Sequence, residues 1–487
     1  MPETLTVATT ELAPGLAVTR ALTGLWQVAD LERDGATLDP RQAAGDLEAY
    51  VDAGLTTFDM ADHYGSAEVI AGELRRRRGD TVQLLTKWVP EPGPITREAA
   101  RAAVDRARAR LGVERIDLLQ FHAWAYDDPA WLDALCYLQE FREDGAIGAI
   151  GLTNFDAAHL RIACASGIEV ASNQVAYSLL DRRAAGELTD VCQAYGVALL
   201  GYGSLAGGLL SERWLGRPPP DVATLETWSQ MKYHRFVQAA GGWGPFQALL
   251  EAVKRVADRL GVSMANVAAR YVLEQPHVAG VIVGARVGRS AHLADTLRLF
   301  SFSLDATART ELDAALADLT PIPGDSGDEY RRPPFLTASG DLSHHLQAFP
   351  PPFERAVGVR GHARAYTGTV WEERAGFARA IRVGDRVLVS GTTATHGTRL
   401  IGGADAEAQT HAIVDKVEGA LRTLGATLED VVRTRLFVAR AEDAPAVTRA
   451  HGRRFGAIRP ANTLVLAGLV GDGYLVEMEA EAVVEEG

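Results

Sequence analysis

The chain has 487 residues, enough for about two to four domains, with 47% hydrophobic and 23% charged residues, as in ordinary globular proteins. A formal net charge of −14 argues against nucleic acid or an anionic membrane surface as a main partner, because both need a basic face. Cys136, Cys164 and Cys192 form no CxxC or Cys/His cluster, so neither a disulfide framework nor a zinc site is expected. No apolar run approaches the roughly 18 residues of a membrane span. The N-terminal stretch MPETLTVATTELAPG lacks the basic and apolar regions of a secretory signal. A reducing, cytoplasmic setting is the expectation.

Between about residues 18 and 300, strand-like and helix-like patterns alternate. The predicted strands are VTRALTGLW, TTFDM, VQLLTKW, IDLLQFH, AIGLTNF, VASNQVAY, VALLGYGSL and VAGVIVGAR. Amphipathic helical stretches separate them, at 40–53, 66–78, 96–111, 129–144, 156–166, 184–195, 246–260, 263–275 and 289–299. Strands rich in Val, Ile and Leu on both parities point to a parallel sheet buried on both faces. Eight such units read as an α/β fold, a (β/α)8 TIM barrel over residues 1–320. A doubly wound sheet is the rival, but no G-x-G-x-x-G follows the first strand. The arginine run Arg75–Arg78 reads as a solvated helix terminus that complements the dipole. Residues 208–245 are too long for a turn, and their tryptophans Trp214, Trp228 and Trp243 favour an ordered cap over the barrel mouth. Pro, Gly and charge then concentrate in a linker, 321–355. Residues 356–487 alternate strands with two helices and read as a smaller α+β domain.

Three of the barrel strands end on one ionisable residue each: Asp59, Lys87 and His122. Tyr64 follows on the loop after the second strand. Active sites of barrels form at the C-terminal ends of the strands. A phenol with a pKa near 10 is a poor acid at neutral pH, and a nearby ammonium lowers that value. Asp59 would keep Lys87 charged and in place. His122 would orient a substrate oxygen and share its developing charge. The reaction this implies is protonation of a carbonyl oxygen as hydride reaches the carbon. Trp26, Trp88 and Trp124 follow strand ends and are expected to line the substrate pocket. No cation is evident among them, which favours an aromatic or apolar carbonyl substrate.

The motifs FDMADHYG, LLTKW, LLQFH, GLTNF, SNQVAYSLLDRR and GYGSLAGGLL together resemble the aldo-keto reductase family over about residues 15–320. The family's tetrad falls on Asp59, Tyr64, Lys87 and His122. By the same resemblance Thr153, Asn154 and Gln174 hold the nicotinamide carboxamide and Tyr177 stacks on the ring. Gly203, Ser204 and Leu205 run along the pyrophosphate. The stretch GARVGRSAHLADTL offers Arg286, Arg289 and Ser290 to a 2′-phosphate, with His292 and Asp295 at the adenine, while Thr296 replaces the family's Asn. An arginine fork suits a phosphate monoester, so NADPH (NADP) is the implied cofactor.

The stretches IRVGDRVLVSGTTAT, VEGALRTLGATLEDVVRTRLFV and RPANTLVLAGLV with YLVEMEAEAVV resemble the RidA/YjgF family of enamine/imine deaminases, a chorismate-mutase-like α+β fold. That resemblance implies a homo-oligomer, a trimer through this domain with ligand clefts between subunits. Active deaminases carry an arginine in a Pro-Ala-Arg motif that binds the substrate carboxylate. Here the motif reads Pro460-Ala461-Asn462, and asparagine cannot form that charged, bidentate pair. Arg459 is a possible substitute, and Glu477 stands at the position of the water-activating glutamate. Three functional readings follow. The chain is a bifunctional enzyme whose barrel reduces a small-molecule carbonyl and whose second domain processes a related imine. Alternatively the second domain only assembles or binds ligand, or the barrel senses cofactor without turnover.

Overall fold

The computed structural model describes residues 6–32, 35–288, 292–337 and 349–485. The eight predicted barrel strands all form: β1 (Ala21–Gly24), β2 (Thr57–Asp59), β3 (Gln83–Trp88), β4 (Ile116–His122), β5 (Ile147–Thr153), β6 (Val170–Ala176), β7 (Ala198–Tyr202) and β8 (Val278–Gly284). They close into one parallel barrel in which β8 pairs with β1. The helices between them begin and end where local chemistry dictates. Pro40–Asp52 starts with a proline in its first turn, and the Asp39 side chain accepts from the Arg41 and Gln42 amides. Arg97–Leu111 is capped by Thr96 and stops at Gly112, whose φ of 64° suits the left-handed C-cap. Arg75, Arg76, Arg77 and Arg78 end the helix Ala67–Arg78, and each pairs with a nearby acid: Asp80, Glu73, Glu48 and Asp52 among them.

Parity along the strands divides two cores. Leu22, Leu85, Leu118, Ala149 and Leu200 point inward, and Leu12, Leu16 and Val18 plug them from below. The last three come from an N-terminal hairpin, Thr9–Ala13 with Leu16–Thr19, whose end, Val18–Thr19, lies in the stretch VTRALTGLW expected to be a single strand with Ala21–Gly24. Side chains of opposite parity join the much larger core between barrel and helices. The long insertion 208–245 contains a lid helix, Trp228–Ala239. Trp228 reaches the barrel mouth, whereas Trp214 and Trp243 pack against each other with ring centroids 6.0 Å apart.

The small α+β domain carries β9 (Glu354–Val357), β10 (Ala363–Tyr366), β11 (Ala380–Val383), β12 (Arg386–Thr393), β13 (Val431–Val438), β14 (Ala461–Leu466) and β15 (Val476–Val483). Their order in the sheet is β9-β10-β11-β12-β15-β13-β14, and β13 pairs with β14 in parallel. Helices Ala406–Thr423 and Ala444–Phe455 cover one face. The first of these also packs on the barrel helix Ala157–Ala165. At Gly419 a Cβ would lie 2.5 Å from the carbonyl oxygen of Asp127, so only glycine permits that approach. The interface is rich in charge. Asp415 meets His159 (3.0 Å), Asp405 meets Arg161 (2.8 Å) and Tyr195 (2.8 Å), His396 meets Asp133 (2.8 Å), and Arg422 meets Asp127.

Residues 321–337, expected to be linker, pack onto the barrel instead. A short helix, Asp328–Arg331, lies in this stretch, and Glu329 is 2% exposed. An isolated sequence reads Pro, Gly and charge as solvated chain. Here the charges find partners: Glu329 bonds Arg183 at 2.8 Å.

Candidate active site

A cavity of about 600 Å³ opens at the C-terminal end of the barrel. Asp59, Tyr64, Lys87 and His122 all line it. Lys87 is inward because Leu85, two residues earlier, is inward, and Gln120 and His122 follow Leu118 by the same rule. Lys87 Nζ donates to Asp59 Oδ2 at 2.7 Å and to the Met60 carbonyl at 2.9 Å. Both partners of this ion pair are about 95% buried. Burial pushes the Lys87 ammonium pKa down, and the Asp59 charge opposes that. The ammonium lies 5.1 Å from the centre of the Tyr64 ring. Asp59 Oδ1 accepts from Gln120 Nε2 (3.0 Å) and Gln174 Nε2 (2.7 Å), and Gln174 also donates to Gln120 Oε1 (2.8 Å). Gln120 was missed in the sequence, although its place two residues before His122 puts it on the same face.

Neither ring nitrogen of His122 has a hydrogen-bond partner among the described residues. Burial, with the Arg331 guanidinium adding to it, holds its pKa well below the usual histidine value. At neutral pH the ring is therefore an uncharged imidazole with one N–H to donate. Trp124 stands edge-on to it at 4.4 Å and is anchored by a bond from Nε1 to the Pro90 carbonyl, 2.7 Å. Trp26 contacts Tyr64 edge-on at 4.9 Å and Trp228 of the lid at 5.9 Å. Trp88 is different: it follows inward Lys87, so it faces outward and packs on Phe121 at 5.4 Å, away from the cavity.

The residues expected to hold a cofactor divide in the same way. Thr153, Asn154, Gln174, Gly203, Ser204, Leu205, Arg286, His292 and Asp295 line the cavity. Tyr177 does not. It follows inward Gln174 by three residues, faces outward, and is 1% exposed in the outer core. Tyr202, inward by parity with Leu200, takes the place facing the cavity, and its hydroxyl donates to Asn154 Oδ1 at 2.8 Å. Asn154 holds a φ of 60°, the left-handed region that side chains other than Gly seldom adopt. Gly203 is favoured by contact as well as by its φ of 70°: a Cβ there would overlap the Tyr233 side chain. Ser204 Oγ is buried without a partner among the described residues, as a donor kept for a ligand oxygen would be. Asp295 accepts from Ser263 Oγ (2.9 Å) and Asn266 Nδ2 (2.6 Å). Arg289 and Ser290 lie outside the described residues. A donor set that includes an unpartnered buried serine and the Arg286 guanidinium fits a phosphate-bearing cofactor such as a dinucleotide.

Two groups that sequence reasoning passed over also reach the cavity. Lys232 comes from the lid helix and Tyr330 from the segment after the barrel. Lys232 Nζ donates to the Tyr330 hydroxyl at 2.6 Å and lies over the rings of Tyr330 (4.5 Å), Tyr202 (5.2 Å) and Tyr233 (5.8 Å). The pocket is therefore not free of cations, as the three tryptophans alone had implied.

In the C-terminal domain, one chain does not bring Asn462 and Glu477 together. Asn462 pairs in register with Thr434, a residue buried beneath the helices, and donates to its Oγ1 at 2.9 Å. Glu477 pairs with Phe437, whose parity is opposite, so it occupies the open face of the sheet. Arg459 is exposed, at a φ of 54°, and bonds the Gly456 carbonyl at 3.3 Å.

Comparison with known proteins agrees with this division. The family model described as "Aldo/keto reductase family" matches residues 22–317, and the one described as "Endoribonuclease L-PSP" matches residues 370–484. A protein of Escherichia coli (strain K12) named "NADH-specific methylglyoxal reductase" is 30% identical over 220 residues, 40% of this chain and 66% of that protein. "Uncharacterized protein SCO2049" of Streptomyces coelicolor is 42% identical over 120 residues, 24% of this chain and 90% of that one. The crystal structure of Rv2704 from Mycobacterium tuberculosis, a member of the YjgF/YER057c/UK114 family, is 39% identical. The match covers 25% of this chain and 99% of that one, with a TM-score of 0.24. The chain thus belongs to the aldo/keto reductase family, an oxidoreductase barrel fused to a C-terminal L-PSP/RidA domain.

Proposed function

We propose that the barrel is an NADPH-dependent reductase of aldehydes or ketones, with Tyr64 as proton donor. The observation that carries this reading is the buried Lys87–Asp59 pair, 2.7 Å apart, beneath Tyr64 in one cavity with an unpartnered, neutral His122. NADPH, when bound, supplies the hydride to the carbonyl carbon. His122 donates its N–H to the carbonyl oxygen and so orients it. As charge develops on that oxygen, the Tyr64 phenol delivers its proton, and the Lys87 ammonium stabilises the phenolate left behind. Asp59 holds the ammonium in place, while Gln120 and Gln174 hold Asp59. Thr153, Asn154 and Gln174 would meet the carboxamide, Tyr202 in place of Tyr177 the ring, and Gly203, Ser204 and Leu205 the pyrophosphate. Arg286 supports NADPH over NADH through charge-assisted bonds to a 2′-phosphate. Lys232 points to substrates carrying a carboxylate or a second oxygen near the carbonyl.

The test is NADPH oxidation with a panel of aldehydes, wild type against Tyr64→Phe. Turnover that depends on Tyr64 is expected. Turnover that survives the substitution sinks the assignment. Cofactor binding without turnover by wild type would instead favour the sensor reading.

A second reading concerns the C-terminal domain. With Asn462 in place of the carboxylate-binding arginine, we infer that it assembles the protein or binds ligand and does not hydrolyse an amino-acid-derived imine. Leu388 and Val465 are exposed on its open face, which fits a trimer covering that face. Size measurement of the intact chain checks this, and a monomer refutes it. Imine processing coupled to the reductase would need the partner subunits to complete the cleft. Three free thiols fit a cytoplasmic setting. The proposed layout keeps the barrel and the C-terminal domain as units, with residues 321–337 belonging functionally to the barrel.

A further inference from the structure

Arg331 ties two strand ends of the site together. Its Nε and Nη2 donate to the Ala123 carbonyl at 3.1 and 2.6 Å, and its Nη1 donates to the Asn154 carbonyl at 2.8 Å. Ala123 follows His122 at the end of β4. Asn154 follows Thr153 at the end of β5 and is the residue with the left-handed backbone. One planar fork therefore spans the imidazole on one side and the cofactor-facing turn on the other.

A face of the same guanidinium is packed by a chain of side chains that leads to the C-terminal domain. It lies 4.3 Å over the Tyr126 ring. Tyr126 stacks on His159, with centroids 3.4 Å apart and planes within 5°. His159 is gripped at both nitrogens: Nδ1 by Asp156 (2.6 Å) and Nε2 by Asp415 of the helix Ala406–Thr423 (3.0 Å). Asp415 is itself fixed by Arg454 from the second helix of that domain. The His159, Asp156 and Asp415 side chains that carry the links are buried.

We propose that Arg331 is a positioning residue for the reductase, and that the C-terminal domain holds it there through Asp415, His159 and Tyr126. The second domain is then part of the support of the first domain's active site, whatever chemistry it has of its own. This rests on the reading of the barrel as a carbonyl reductase.

The experiment uses the full chain. Arg331→Ala should lower kcat by about 10- to 100-fold, the size of loss that follows removal of the outer partners that orient metal ligands. KM for the carbonyl should change much less. Guanidinium ion at low millimolar concentration should restore part of kcat, and methylammonium should not. A merely structural defect would respond to neither. Arg331→Lys, which keeps the charge without the fork, should fall between wild type and Arg331→Ala and serves if the alanine variant does not fold. Asp415→Asn should lower kcat in the same direction by a smaller factor. In an Arg331→Ala background it should add nothing, because the two act along one line. Independent, multiplicative losses overturn the link to the second domain. Unchanged kcat, or a loss without guanidinium rescue, overturns the role of Arg331. NADPH affinity, read from tryptophan fluorescence, gives the same comparison without turnover. If wild type turns over and Tyr64→Phe does not, a negative result with Arg331 refutes only this inference. A wild type that neither binds NADPH nor reduces any carbonyl refutes both.

Discussion

Replacing Lys87 by Met tests the electrostatic core of the proposed mechanism. The ammonium lies 5.1 Å from the centre of the Tyr64 ring. With the ring centre taken as the seat of the phenolate charge and an effective dielectric constant of about 20, a unit charge at that distance stabilises the phenolate by about 3 kcal/mol. That corresponds to about two pKa units, or about 200-fold in the driving force for proton donation. Lys87→Met should therefore lower kcat about 100-fold or more, with cofactor affinity little changed, since the ammonium bonds Asp59 and the Met60 carbonyl within the site. The substitution also leaves Asp59 as a buried carboxylate. Breaking a buried pair usually costs about 3–5 kcal/mol of stability. The amide donors of Gln120 and Gln174 remain on Asp59 and should hold the loss toward the lower end. The assay is steady-state NADPH oxidation with a saturating aldehyde, alongside thermal unfolding to show that the variant is folded at the assay temperature. A folded Lys87→Met enzyme within about threefold of wild type would refute the argument, since a charge at that distance cannot be neutral in the chemistry.

Arg286→Ala should raise KM for NADPH by about 10- to 100-fold, the value of one or two charge-assisted bonds, and leave KM for NADH unchanged. Equal effects on both cofactors would remove the 2′-phosphate assignment. Lys232→Met should cost about tenfold in kcat/KM for a carboxylate-bearing carbonyl and little for its neutral ester, and a loss of equal size for both would show that the lysine acts on the lid alone. His411 is buried on the helix Ala406–Thr423, and burial, helped by the Arg454 cation, pushes its pKa down to about 3. The unfolded chain therefore takes a proton below about pH 6.5 that the folded chain refuses until about pH 3, so this group makes stability fall as pH drops through that window. His411→Gln should shrink the stability difference between pH 7 and pH 5 by about 2 kcal/mol. Denaturant titrations at the two pH values check this, and an unchanged difference refutes it.

The barrel, its eight strands and the positions of Asp59, Lys87 and His122 were legible in the residues because each rests on local rules. Side chains alternate along a strand, helices start at Asp39 or Thr96 and stop at Gly112, and an ionisable group at a strand's C-terminal end has a preferred place in this architecture. The same alternation, applied more strictly, would have turned Trp88 and Tyr177 outward and brought Gln120 and Tyr202 into the site. Other features have no local signature. Lys232 and Tyr330 reach the cavity from a lid and from a stretch that reads as linker, and nothing in their neighbours announces which strand ends they will cover. Asn462 and Glu477 looked like two parts of one cleft by family resemblance, yet within one chain strand pairing puts them on opposite faces. Arg331 is the sharpest case. In RRPP it reads as a solvated charge, and its role exists only because folding places two strand-end carbonyls beneath it and a tyrosine, a histidine and the second domain behind it. Short-range order is written in residue spacing. Contacts between residues hundreds of positions apart depend on how whole elements pack, and that packing turns a linker arginine into a support of the active site.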